Sequence, residues 1–196
     1  TLNQMNVREL VYLNQEALAQ LLSAIRLQSD LAQTVVIRSG EADFHHILAS
    51  AQHVDGYYID FGFMKTNVSA IGTMYKIVDI EKFFEDIEQR KFANIPMKVC
   101  FKLYDELAHD EKKFMLNFEE GKCSYAECCE KQGKCCQGND LMVEMKLSDF
   151  SALMMGSAEF ASLVRLGAAK VSDAEKVRDL DTLLHVEQKP FTNTDY

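Results

Sequence analysis

The chain has 196 residues, with 30 acidic against 21 basic side chains and a formal net charge of -9 at neutral pH. That excess disfavours a nucleic-acid backbone or an anionic membrane surface as partner and gives cationic partners, amines among them, a favourable field. With 47% hydrophobic residues it can build one large domain or two small ones, and no apolar run approaches the roughly 20 residues needed to span a bilayer.

Val7-Arg8-Glu9-Leu10-Val11-Tyr12 alternates and predicts a first strand. Asn14 then stands where a cap belongs, before a helix with Ala17, Leu18, Leu21, Leu22 and Ile25 at helical spacing and Glu16 in its first turn. Thr34-Val35-Val36-Ile37 predicts a β-branched strand, and Glu41-Ala42-Asp43-Phe44 opens a second helix with Phe44, Ile47 and Leu48 on one side. His45 and His46 are adjacent on it and diverge by about 100°, so they do not form a joint ligand pair. The stretch 56–63 is aromatic and punctuated by Gly56 and Gly62, which suits a strand or loop. A change of pattern near Gly72 divides the chain into 1–72 and 73–196.

In the second part, Asp79 is placed to cap a helix with Ile80, Phe83, Phe84 and Ile87 along one stripe. Met97, Val99, Phe101 and Leu103 recur with a period of two, as do Phe114, Leu116 and Phe118, with the acidic stretch 105–111 as the turn between them. A turn over 119–122, a third strand over 123–131, and a fourth lined by Leu141, Val143, Met145 and Leu147 complete a predicted antiparallel sheet. Helices follow from Ser148, from Ser157 after a stop at Gly156, and from Ser172 with Glu175 in capping-box spacing. Sheet first and helices second is an α+β layer arrangement.

Cys123, Cys128, Cys129, Cys135 and Cys136 crowd one segment, and Cys100 stands apart. Adjacent cysteines on a strand point to opposite faces, and neither pair has the spacing of a zinc knuckle. A hairpin across Gln132-Gly133-Lys134 could set two of them opposite one another for a disulfide or half a zinc site. The reading preferred is reduced thiols, with no metal bound.

The stretch from Asp140 through Lys146-Leu147-Ser148-Asp149-Phe150 to Gly156 resembles the last strand and following helix of sterol carrier protein-like domains, and the helices from Ser157 and Ser172 continue the likeness. Met74-Tyr75-Lys76-Ile77-Val78-Asp79-Ile80 is similar to the opening motif of that domain in the Eis (enhanced intracellular survival) acetyltransferases. Val7-Arg8-Glu9-Leu10-Val11-Tyr12-Leu13 with Glu16-Ala17 resembles their second, catalytically degenerate GNAT-like domain. The tail Pro190-Phe191-Thr192-Asn193-Thr194-Asp195-Tyr196 is of the family kind. The fold so implied is a partial GNAT-like α/β unit over 1–72, then a sterol carrier protein-like domain over 73–196.

The resemblance further implies acetyl-CoA-dependent acetylation of an amine, whether aminoglycoside, polyamine, peptide or lysine side chain, by a cytoplasmic homo-oligomer, hexameric in the family. A preceding GNAT domain would hold acetyl-CoA and supply the general acid. The α-carboxylate of Tyr196 would serve as general base, with Asp195 adding negative charge to the substrate pocket. The chain opens at Thr1 inside an organised segment, without an initiator Met, which predicts the C-terminal part of something longer. It has no arginine- and glycine-rich strand-to-helix loop for a pyrophosphate, so the fragment alone is expected to bind no cofactor and to be inactive. The alternatives are a free-standing sterol carrier-like module for an apolar ligand, or a scaffold without catalysis.

Overall fold

The computed structural model describes residues 3–41, 43–50, 58–59, 62–69, 74–127, 141–187 and 189–191. Two units are distinguished, Thr1–Thr73 with Phe191–Tyr196, and Met74–Pro190.

In the first unit, strand β1 (Gln4–Val7) pairs in parallel with β2 (Thr34–Ile37), and helix α1 (Gln15–Arg26) lies between them in sequence. Parallel neighbours need a crossover, which α1 supplies. Asn14 starts it as expected, its Oδ1 accepting the Ala17 N–H at 2.8 Å. The first strand lies at 4–7 and not at 7–12. Its ladder closes where Arg38 N–H reaches the Val7 carbonyl at 3.1 Å, and the chain then leaves the sheet. The expected second helix contracts to a single 3-10 stretch, Phe44–Ile47, which Asp43 precedes without a side-chain cap. Two short strands, β3 (Tyr58–Ile59) and β4 (Phe63–Met64), pair antiparallel around Gly62. No described residue of this unit is buried: the apolar stripe of α1 is only partly covered, and Leu21 is 37% exposed.

The second unit runs α2 (Ile80–Asp86), β5 (Met97–Asp105), β6 (Asp110–Glu119), β7 (Lys122–Glu127), β8 (Leu141–Lys146), α3 (Leu147–Met154), α4 (Phe160–Arg165), β9 (Ala169–Val171) and α5 (Val177–Leu184). Its five-stranded sheet has the order β7-β6-β5-β8-β9. The period of two places Val99, Phe101 and Leu103 of β5 in register with Leu116, Phe114 and Lys112 of β6 and with Leu141, Val143 and Met145 of β8. All of these except Lys112 are buried on one face, with Phe84, Phe150, Leu153 and Leu180 from the helices packed in the same core.

One pairing departs from the antiparallel expectation. β5 and β8 run parallel, so the sheet is mixed, its other three pairings being antiparallel. Two expected helix starts are also corrected. Ser157 donates from Oγ to the Ala152 carbonyl at 3.0 Å, closing the end of α3, and α4 begins only at Phe160. Ser172 accepts the Met142 N–H at 3.0 Å and donates its own N–H to the Met142 carbonyl, extending the β8–β9 edge. It therefore caps no helix, and α5 starts at Val177. Residues 128–131 of the expected third strand lie outside the described residues.

Candidate functional site

Asp195 and Tyr196, the site residues expected from the sequence, lie outside the described residues, which end at Phe191. Phe191 itself rests on Gly40: a Cβ built at Gly40 would stand 2.7 Å from both Cβ and Cγ of Phe191. Those atoms are the inflexible root of the ring, so glycine at position 40 is what lets the tail lie there.

Beside that point the first unit carries a basic groove of about 180 Å³, lined by Asn6, Val7, Arg8, Val36 and Arg38. Asn6 and Val36 are register partners and share one face of the β1–β2 pair; Arg8 and Arg38 follow two residues later on each strand. Both arginines thus stand at the C-terminal ends of parallel strands, one residue past the pair Val7↔Ile37. The segment after β1 is tied to the one after β2 by the Tyr12 hydroxyl, which donates to the Glu41 carboxylate; that bond raises the Tyr12 pKa above its ordinary value. The sequence reading gave Arg8 and Arg38 no role. Their spacing two positions beyond a paired rung becomes a signal only once the parallel pairing is known.

The turn into α1 does not fit the pyrophosphate of acetyl-CoA. The turn from β1 into α1 has no glycine to let a phosphate approach the backbone, Asn14 already occupies the Ala17 N–H, and Glu16 sets a negative charge in the first turn.

In the second unit, the space between sheet and helices is filled by interlocked rings. Phe101 stacks on Phe114 at 5.5 Å, and Phe150 meets the two edge-on at 5.2 and 5.5 Å. Phe84 stacks on Tyr125 at 5.8 Å along the same block. The segment leading into α2 is bound to this unit at two points. Lys76 Nζ donates to both carboxylate oxygens of Asp105 at 3.0 and 2.9 Å, and Ile77 N–H donates to Ser151 Oγ at 3.0 Å. The Lys76 hydrogen bond, helped by the Leu107 and Ala108 N–H groups, holds the Asp105 carboxyl below its ordinary range. On the opposite face a groove of about 210 Å³ is lined by Lys102, Tyr104, Glu111, Glu144, Lys146 and Lys170 among others. Its charges neutralise one another, Lys102 lying 3.3 Å from Glu111 and Lys146 2.7 Å from Glu106.

The reading of the cysteines as reduced thiols is corrected at Cys100, which is disulfide-bonded. It lies in register with Met115 and Met142, on the sheet face away from the phenylalanine block, and so is not locked into that packing. Cys123 is a free thiol half-buried against the core, and burial pushes its pKa up to about 12 despite the nearby Arg90 guanidinium. It is neutral at physiological pH and no nucleophile. Cys128, Cys129, Cys135 and Cys136 lie outside the described residues, and no cluster of three metal-ligating side chains occurs among the described ones.

Residues 80–193, more than half of the chain, match the sterol carrier protein domain family model. The chain belongs to that family. Solved structures extend the likeness of this sterol carrier protein-domain chain to its whole length. A conserved protein of unknown function from Enterococcus faecalis V583, described as a probable N-acyltransferase, matches at TM-score 0.63 and 16% identity, over 96% of this chain and 42% of its own. Eis1 from Mycobacterium abscessus matches at 0.60 and 16%, over 100% of this chain and 44% of its own. A GCN5-related N-acetyltransferase from Kribbella flavida matches at 0.58 and 17%, over 95% and 42%. At these identities the likeness is one of fold, and the chain spans less than half the length of each. None of the curated protein sequences matches it. No described helix is long and apolar enough to cross a membrane.

Proposed function

We propose that this chain forms the C-terminal portion of an Eis-like, acetyl-CoA-dependent N-acetyltransferase that modifies amines. The observation that carries the reading is the state of the first unit. Its described residues form two two-stranded sheets, one amphipathic helix and one 3-10 stretch and bury no side chain, which is too little core for a domain that stands alone. Its partly covered faces call for further sheet and helix, and the chain spans under half the length of the similar structures, the probable N-acyltransferase and Eis1 among them.

In that setting the chain's own contribution is a base. The α-carboxylate of Tyr196, on a tail tethered where Phe191 meets Gly40, accepts a proton from the substrate ammonium directly or through one water, leaving the nitrogen lone pair free to attack. Asp195 and the net charge of -9 favour a cationic acceptor such as an aminoglycoside, a polyamine or a lysine. Acetyl-CoA and the general acid belong to the part preceding residue 1. The whole protein is cytoplasmic and assembles as a homo-oligomer.

The experiment is acetyl transfer to a polyamine and an aminoglycoside by the full-length protein and by residues 1–196 alone. The reading expects turnover from the first and none from the second. Activity in the isolated chain, or an upstream reading frame without a phosphate-binding loop, contradicts it. A lipid-carrier role has less support, because the interior that would hold an acyl chain is occupied by Phe101, Phe114 and Phe150, each no more than 1% exposed.

A further inference from the structure

The outer face of the five-stranded sheet carries one rung whose charges do not balance. Lys113 of β6, Lys102 of β5, Glu144 of β8 and Lys170 of β9 lie side by side in register, on the face away from Phe101, Phe114 and Val143. Lys102 is paired with Glu111, whereas Lys113 and Lys170 are exposed and form no ion pair with any described residue. Lys113 is also the direct cross-strand neighbour of Lys102, a placement of like charges that costs stability in an isolated copy.

The helix side of the same unit carries the matching excess. Phe84 holds α2 against Tyr125 and Phe114 in the core, which leaves Glu81, Glu85 and, just past the helix end, Glu88 exposed. The three recur at i, i+4 and i+7, one stripe of a helix, and none forms an ion pair with a described residue. Glu85 and Glu88 stand at the C-terminal end of α2, where the helix dipole disfavours negative charge and no basic residue offsets it. Each patch is thus unfavourable alone and is relieved by charge of the other sign.

We infer that the Lys113–Lys102–Lys170 rung of one copy docks the Glu81–Glu85–Glu88 stripe of a second copy, so that the chain assembles head to tail. The spans agree: three inter-strand steps set Lys113 and Lys170 roughly 14 Å apart, and Glu81 to Glu88 covers about 10 Å along the helix. The patches occupy opposite faces of one unit, so a copy does not satisfy them within itself, and a two-fold pairing through either face sets like charges together. The contact is therefore heterologous, and it forms a ring where the rotation closes. The inference rests on the homo-oligomer of the proposed function and gives that assembly its surface.

Light scattering on the full-length protein over a concentration series tests this without an acetylation assay. Glu81→Lys, Glu85→Lys and Glu88→Lys together raise the dissociation constant of assembly about tenfold or more, and Lys113→Glu with Lys170→Glu does the same. An equimolar mixture of the two variants assembles again, because each reversed patch meets its reversed counterpart, and this shows both variants to be folded. Assembly untouched by either reversal overturns the inference and leaves the homo-oligomer standing, and a mixture that stays apart overturns the pairing. A wild type that is monomeric throughout the series overturns both. Zero-length carbodiimide cross-linking of mixed isotopically light and heavy protein gives light–heavy links from α2 to Lys113 or Lys170; assembled protein without them overturns the inference.

Discussion

Replacing Ser151 by alanine removes one oxygen from the place where the segment before α2 is fastened to the core. Ser151 is fully buried, donates to the Leu147 carbonyl at 2.7 Å and accepts the Ile77 N–H at 3.0 Å, joining positions 74 residues apart. The Leu147 carbonyl keeps its helical partner in the variant, whereas the buried Ile77 N–H keeps none. An orphaned buried donor costs about 1–3 kcal/mol, and the better helix propensity of alanine returns about 0.5 kcal/mol. The net loss is about 1–2 kcal/mol, or a fall in melting temperature of roughly 5–10 °C for a domain near 100 residues. Calorimetry gives the melting shift, and hydrogen exchange at the Ile77 amide, slow in the wild type and fast in Ser151→Ala, identifies its cause. Ser157→Ala is the control: its hydroxyl donates to a carbonyl at an exposed helix end, and the loss stays near 0.5 kcal/mol. If Ser151→Ala melts no lower than Ser157→Ala, the fastening argument is wrong.

With a folded pKa of about 12 against an ordinary 9.0, the thiolate fraction of Cys123 at pH 8 is about a thousandfold below that of a free cysteine. Iodoacetamide should label it slower by that order in the folded chain and at the normal rate in urea; fast labelling of the folded chain refutes the burial argument. The depressed pKa of Asp105 contributes stability that is complete above its ordinary value of 3.8 and is lost as pH falls through the lower folded value. Asp105→Asn should therefore lower the urea midpoint at pH 6 and flatten its fall below pH 4, and an unchanged acid profile counts against the Lys76 pairing. Gly156 has φ 79, and a Cβ there would lie 2.7 Å from the Val186 Cβ. Gly156→Ala should cost about 2 kcal/mol or more by urea unfolding, and a neutral effect would mean the α3 terminus is not held as described.

The sequence and structure agree where an element is set by neighbours along the chain. Asn14 and Asp79 cap helices that begin one residue later, and the alternation of Val99, Phe101 and Leu103 with Phe114, Leu116 and Phe118 marks the two central strands and their buried face. Disagreement arises where a distant partner decides. β1 is the short run Gln4–Val7, set by its pairing with Thr34–Ile37 and not by the stretch 7–12 that follows it. Ser172 has the spacing of a helix cap, but Met142, 30 residues away, takes its hydrogen bonds. β9 is three residues between small neighbours and leaves no alternation to detect. The parallel register of β5 and β8 follows from how the chain returns to the sheet, which no local pattern carries. The same holds for the arginine groove, whose two charged walls lie 30 positions apart.

The central claim is that this chain lends its terminal carboxylate to amine acetylation, and the direct measurement is kcat for acetyl transfer by the full-length protein with and without Asp195 and Tyr196. The account predicts a fall of about 10²–10⁴-fold, the contribution of a positioned general base, with the melting temperature unchanged. Wild-type turnover in the shortened protein would contradict it.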